Sequence, residues 1–199
     1  HLTRRNADMP PVPGGIRDRG GEVIAPDPAT LPPDELDLRT LWLHPKLLLG
    51  QTCWGPMRRD NLWHHVAAIG QPDYSGIEGG DGTRYASAIV MRRRYWGRGG
   101  DVPAPADGSA SLPLGLMRGR CFAFNEGKSM SGFMALGEDM SAVGESYAIF
   151  SRSIITGGHR DSIRAVAEGS ADVAAVDCRS WAMARRFEPA AARLCVVGW

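Results

Sequence analysis

Three short segments carry side chains whose types and order suit anion chemistry. The first is "NEGKSMSGF", residues 125–133, directly after the apolar run Cys121–Phe124. Ser129 and Ser131 stand where a helix would begin, followed by Gly132. A helix start offers free backbone N–H groups, to which serine hydroxyls add donors, and glycine permits close approach. That donor set suits a phosphate-like oxyanion. Serine is also a favoured N-cap, so a plain cap without a ligand is the commoner use of the same residues.

The second segment is "TGGHRDS", residues 156–162. Its two glycines allow a tight turn, and His159 opens the next helix, where it can donate to an oxyanion. A single histidine at a helix start equally caps or packs. The third is Asp177, the polar end of "VAAVD". It can accept from a ligand hydroxyl, amine or protonated phosphonate, or it can cap the helix expected near Arg179. Two further candidates precede these. Thr52 and Trp54 in "QTCWGP" offer a donor and an aromatic wall, or a strand-to-turn corner with Trp54 in the core. Tyr85, opening "YASAIV", offers a cleft-lining ring or an ordinary core tyrosine.

Other chemistries find less support. The sequence holds no phosphate-binding Walker loop, no GxSxG and no HExxH. His64 and His65 are adjacent, and neighbours on a strand point to opposite faces, against a shared metal. The basic run Arg92–Trp96, "RRRYW", reads as a solvated face rather than a nucleic-acid patch, because net charge is only +1. Cys53, Cys121, Cys178 and Cys195 are far apart and sit beside apolar residues, so buried free thiols are expected rather than a zinc cluster. No apolar run approaches the roughly 18 residues that span a bilayer. The chain opens at His1 without a signal-peptide pattern, as if internal to a longer product.

The elements that must position these residues follow from patterning. Residues 1–34 are rich in Pro and Gly and read as an extended, loop-rich segment. A helix is expected over 36–44, stopped by Pro45. "KLLLGQTCW" reads as a buried parallel strand, "NLWHHVAAIG" as a short strand or helix, and "YASAIVMRR" as a strand. Residues 97–115 have a linker's composition. After them strands and helices alternate. The strands are at 121–124, 153–156, 171–178 and 193–199. The helices begin near 129, at His159 and near Arg179. Helix 159–169 carries Ile163, Val166 and Ala167 on one face and closes at Gly169. Such alternation predicts a parallel sheet with right-handed crossovers. The resulting division is 35–92 as a partial first lobe, 93–117 as linker, and 118–199 as a second lobe with a return strand at 193–199.

"LLLGQTCWGP", "GTRYASAIVMR", "GRCFAFNEGKSMSGFMAL" and the segment from "TGGHRDS" to "VVGW" occur in this order. Together they resemble the substrate-binding proteins of phosphate, phosphite and phosphonate ABC transporters over residues 36–199. The resemblance implies an α/β, two-lobed type II periplasmic-binding-protein-like fold, with parallel-rich sheets flanked by helices and an incomplete first lobe. It implies a small oxyanion held between the lobes by Ser129, Met130 and Ser131, with His159, Asp177 and Tyr85 lining the cleft. Thr52 and Trp54 would supply the facing lobe.

The same resemblance implies a non-catalytic, monomeric solute-binding protein without cofactor or metal. Its partner would be an ABC transporter permease, its location periplasmic, and it would bind no nucleic acid and insert in no membrane. Its lobes would close about hinges near Arg92–Arg94 and Leu194–Gly198. Two rivals share the fold: a cytoplasmic ligand-sensing or effector domain, and an enzyme of the pyrimidine-synthesis type.

Overall fold

The computed structural model describes residues 16–26, 38–45, 47–97 and 99–199. The chain divides into two compact units, His1–Gln51 and Thr52–Trp199. In the first, β1 (Ile16–Arg17) pairs antiparallel with β2 (Val23–Ala25). A one-turn helix α1 spans Leu38–Trp42. The expected helix over 36–44 is thus present in part, and residues 36 and 37 lie outside the described residues, as do 1–15 and 27–34 of the loop-rich segment.

The second unit is built on a five-stranded sheet of order β7-β6-β8-β5-β9. The strands are β5 (Ser87–Arg92), β6 (Cys121–Phe124), β7 (Arg152–Ile155), β8 (Val173–Asp177) and β9 (Leu194–Gly198). β6 is parallel to β7 and to β8, while β5 is antiparallel to both β8 and β9. Four strands therefore share one direction and β5 opposes them. The sheet is parallel-rich and mixed, where alternation alone predicted an all-parallel one. Around it lie α2 (Trp54–Arg59), a small hairpin of β3 (Gly80–Asp81) and β4 (Arg84–Tyr85), α3 (Arg93–Trp96) and α4 (Leu114–Met117). Three longer helices complete the unit: α5 (Ala135–Ala142), α6 (His159–Glu168) and α7 (Cys178–Phe187).

Both faces of β5, β6, β8 and β9 are covered, which explains why these strands read as largely continuous apolar runs, whereas the edge strand β7 is mostly exposed. On one face Ala88, Val90, Ala123, Ala174, Val176 and Val196 pack with Ile163, Val166 and Ala167 of α6 and Trp181 of α7. On the other, Ile89, Met91, Phe122, Phe124, Ala175 and Val197 pack with Leu136 and Met140 of α5. The period-2 alternation along each strand sorts small residues to the first face and aromatic ones to the second. α6 ends as its sequence predicts, with Gly169 in the left-handed conformation at φ 99°.

Several expectations are corrected. "KLLLGQTCW" forms no strand in its described part: Leu48 is 98% and Leu49 69% exposed, so the apolar run has nothing to bury against within its own unit. "NLWHHVAAIG" forms only a 3-10 turn at Leu62–His64. β5, expected in a first lobe ending at residue 92, lies in the middle of the sheet with the later strands. Segment 97–115 is not a passage between lobes but a cover for the edge strand β9. Val102 N–H donates to Val196 O, Ser111 N–H to Trp199 O, and the Trp199 indole to Val102 O. Its Gly/Pro content mimics a linker because an edge cover also needs irregular backbone.

The expected hinge strands are two neighbours in that sheet. Arg92 is buried and bonded to Val166 O, Ala171 O and Asp172, which ties the segment rather than freeing it. Three thiols, Cys121, Cys178 and Cys195, are buried as expected, and Cys53 is half-buried. Among the described residues no helix is long and apolar enough to cross a membrane.

Candidate functional site

In an open α/β sheet the loops beyond the carboxyl ends of the strands converge where neighbouring strands lead to opposite sides. Here that point is β6, flanked by β7 and β8. Phe124 runs into Asn125, Ile155 into Thr156 and Gly157, and Asp177 into α7. The first two loops are tied together: Thr156 N–H donates to Phe124 O and Gly157 N–H to Asn125 O, both at 2.9 Å. Thr156 Oγ1 and Ser162 Oγ lie 2.6 Å apart, fixing the start of α6. Gly157 takes φ 80°, a turn few other residues would allow.

The antiparallel direction of β5 has a functional consequence. It brings the beginning of that strand, not its end, to the carboxyl ends of the others. Ser87 pairs in register with Asp177. Its hydroxyl donates to the Ser131 carbonyl at 2.9 Å. Tyr85 thereby arrives beside Ser131, stacked on Tyr74 with ring centroids 4.7 Å apart. Burial pushes the Tyr85 phenol well above its ordinary range, with Cys53, Tyr74 and Asp177 adding to the effect and Ser131 opposing it. The hydroxyl stays protonated and available as a donor.

Ser131, His159 and Asp177 meet in a chain. His159 Nε2 lies 3.1 Å from Ser131 Oγ and 3.3 Å from Asp177 Oδ2. Asp177 Oδ1 accepts from Ser180 N–H at 2.9 Å, so this residue is an N-cap and a histidine partner at once. Burial holds the His159 imidazole below its ordinary value, with Asp177 pulling the other way. A neutral ring protonated on Nε2 fits these contacts, because that nitrogen faces the carboxylate. His159 Nδ1 is buried without a hydrogen-bond partner. A Ser-His-Asp relay needs the serine and the carboxylate on opposite ring nitrogens. Both sit on one nitrogen here, so the geometry is that of a positioned donor, not a relay.

Met130–Met134 forms a π-helical turn that leads into α5. The buried Ser129 caps it: its Oγ accepts from Gly132 N–H at 3.1 Å. The first N–H groups of a helix, here those of Met130 and Ser131, have no carbonyl partner inside it. Gly132 packs tightly against the Asn125 side chain. A Cβ there would stand 1.8 Å from Asn125 Oδ1. α2 covers the same turn, since a Cβ on Gly55 would stand 1.8 Å from the Lys128 carbonyl. Lys128 Nζ and Asp60 Oδ1, 2.7 Å apart, hold that contact.

A cavity of about 1000 Å³ opens on this cluster. Trp54, Tyr85, Met130 and Ser131 line it; Ser129, His159, Asp177 and Thr52 do not. His159 and Asp177 stand behind Ser131, and Thr52 Oγ1 is buried without a partner. Arg58, on α2 one turn beyond Trp54, also lines the cavity, and among the described residues it has no carboxylate partner. Sequence reasoning missed it. Its signal was the i, i+4 spacing from Trp54, which puts both on one helix face. The other lining cation, Arg84, pairs with Asp81, while Glu78, Asp107 and Asp139 contribute negative charge. An anion would thus be held by local donors rather than by the field of the cavity.

No known protein-family model matches the sequence, and no curated protein matches it. Solved structures similar to the chain include PhnD1 from Prochlorococcus marinus in complex with methylphosphonate, at 18% identity and TM-score 0.46. They include a binding protein component of an ABC phosphonate transporter from Pseudomonas aeruginosa, at 19% identity and TM-score 0.43. A Xanthomonas citri protein bound to chloride ion is similar at 16% identity and TM-score 0.40. They cover 55, 57 and 56% of this chain, which in turn spans 39, 34 and 39% of theirs. The chain therefore spans well under half the length of each.

Proposed function

We propose that this chain is the ligand-holding part of a solute-binding protein for a small oxyanion, a phosphonate, phosphate or phosphite, delivered to an ABC transporter. The observation that carries the reading is the meeting of Ser131, the helix start at Met130–Ser131 and His159 at the carboxyl ends of adjacent parallel strands, beside an open cavity. Hydroxyl and N–H donors, a neutral imidazole and a protonated Tyr85 form a set that stabilises negative charge without needing net charge. Ser129 acts through the cap, holding the turn that presents those N–H groups. Asp177 orients His159 from behind Ser131. Trp54 and Arg58 face the ligand's substituent.

Calorimetric titration with inorganic phosphate, phosphite and methylphosphonate tests the reading. A saturable heat for at least one, lowered ten-fold or more in affinity by Ser131→Ala, is expected. A folded sample giving no heat with any of the three contradicts it.

A further inference from the structure

We propose that Arg94 and Arg120, arrayed about the ring of Tyr95, form a second anion site for a tetrahedral phosphate-type dianion, at the end of the sheet opposite Ser131. β5 ends at Arg92 and passes directly into the single turn α3. Arg120 immediately precedes β6. Three guanidinium carbons therefore gather around one ring: Arg92 at 4.8 Å from its centroid, Arg94 at 5.0 Å and Arg120 at 4.5 Å.

Only one of these charges is answered within the fold. Arg92 pairs with Asp172 at 2.7 Å, and the neighbouring Arg118 pairs with Glu145. Among the described residues, neither Arg94 nor Arg120 has a carboxylate partner. A cation over a ring at an exposed site gains little. The guanidinium carbons of Arg94 and Arg120 both lie within 5.0 Å of one ring centroid, so like charge gathers there and repels. An anion held by the two guanidiniums that lack a carboxylate partner offsets that charge.

The donors are suited to that task. Arginine forks match the oxygens of a tetrahedral oxyanion. The Tyr95 oxygen accepts from Arg92 Nη2 at 2.8 Å and Arg94 Nη2 at 3.1 Å, which leaves its O–H to donate outward. Those two bonds hold the Tyr95 phenol below its ordinary range, a mark of the positive charge gathered there. The phosphate group can be a free ion or the headgroup of a lipid; the recognition chemistry is the same.

The test follows the arginine Nε–H and Tyr95 ring signals by NMR in two arms, inorganic phosphate and vesicles of phosphatidic acid in phosphatidylcholine. Saturable shifts of Arg94, Arg120 and Tyr95 are expected, several-fold tighter than at Arg186, an exposed arginine stacked alone on Phe187. The Tyr95 shift should be lost in Arg94→Gln and Arg120→Gln, made singly and together, and retained in Ser131→Ala. A response to phosphate assigns a free ion, and a response to vesicles alone a headgroup. No response in either arm, shifts that track Arg186, or a Tyr95 shift that survives the double variant overturns the proposal.

Discussion

The two ends of the five-stranded sheet solve the problem of buried polarity in opposite ways. At the carboxyl ends, Ser131, His159 and Asp177 form a chain of mostly neutral groups, with orphaned atoms such as His159 Nδ1 left over. At the amino ends, the two terminal nitrogens of Arg92 bond Asp172 and two carbonyls while its Nε is buried without a partner, and surplus charge stays on the surface. β5 links the two, because its antiparallel run starts at one end and finishes at the other. The amino end is organised for stability. The carboxyl end leaves donors unspent, as a binding site must.

Breaking the amino end should cost most. Arg92→Ala strands Asp172 and two backbone acceptors, and removing one partner of a buried pair costs about 3–5 kcal/mol. Denaturant unfolding should show that loss. Gly132→Ala attacks the other end through packing. Its Cβ must displace Asn125 Oδ1, 1.8 Å away, and overpacking of this kind costs about 1–3 kcal/mol. Oxyanion affinity should fall with it, because the turn carrying Ser131 moves. Asp177→Ala removes the α7 cap at about 1 kcal/mol. Asp177→Asn should restore most of that stability without restoring the charge beside His159.

The smallest effect is a pH slope. Burial lowers the His159 value in the folded state, so between that value and about 6.5 the unfolded chain binds more protons. Stability from this group is therefore present above about pH 6.5 and falls as pH drops below it, by at most about 1.4 kcal/mol per pH unit. His159→Gln should remove that part of the slope. Unfolding midpoints of the two proteins across the window should converge on acidification.

Much of the carboxyl end was legible in the sequence because it depends on local rules. Ser129 and Asp177 are caps, and Gly169 closes a helix whose buried face was evident from its spacing. Both Ser129 and Asp177 cap helices, and at Asp177 the cap coexists with the contact to His159. What could not be read was strand direction and partnership. Nothing local in "YASAIVMRR" says that it runs antiparallel between β8 and β9, the arrangement that brings Tyr85 beside Ser131. "KLLLGQTCW" failed for the same reason, since an apolar run becomes a strand only where a partner strand is present. The run Arg92–Trp96 reads as a solvated face, yet Arg92 is buried, and it and Arg58 acquire their meaning from residues distant in sequence.

The most direct test is a structure of the chain determined with methylphosphonate. Phosphonate oxygens should lie within hydrogen-bonding distance of Ser131 Oγ and of the Met130 or Ser131 N–H, with His159 still held against Ser131. A folded chain whose ligand sits only by Arg94 and Arg120, with the Ser131 end empty, would contradict it.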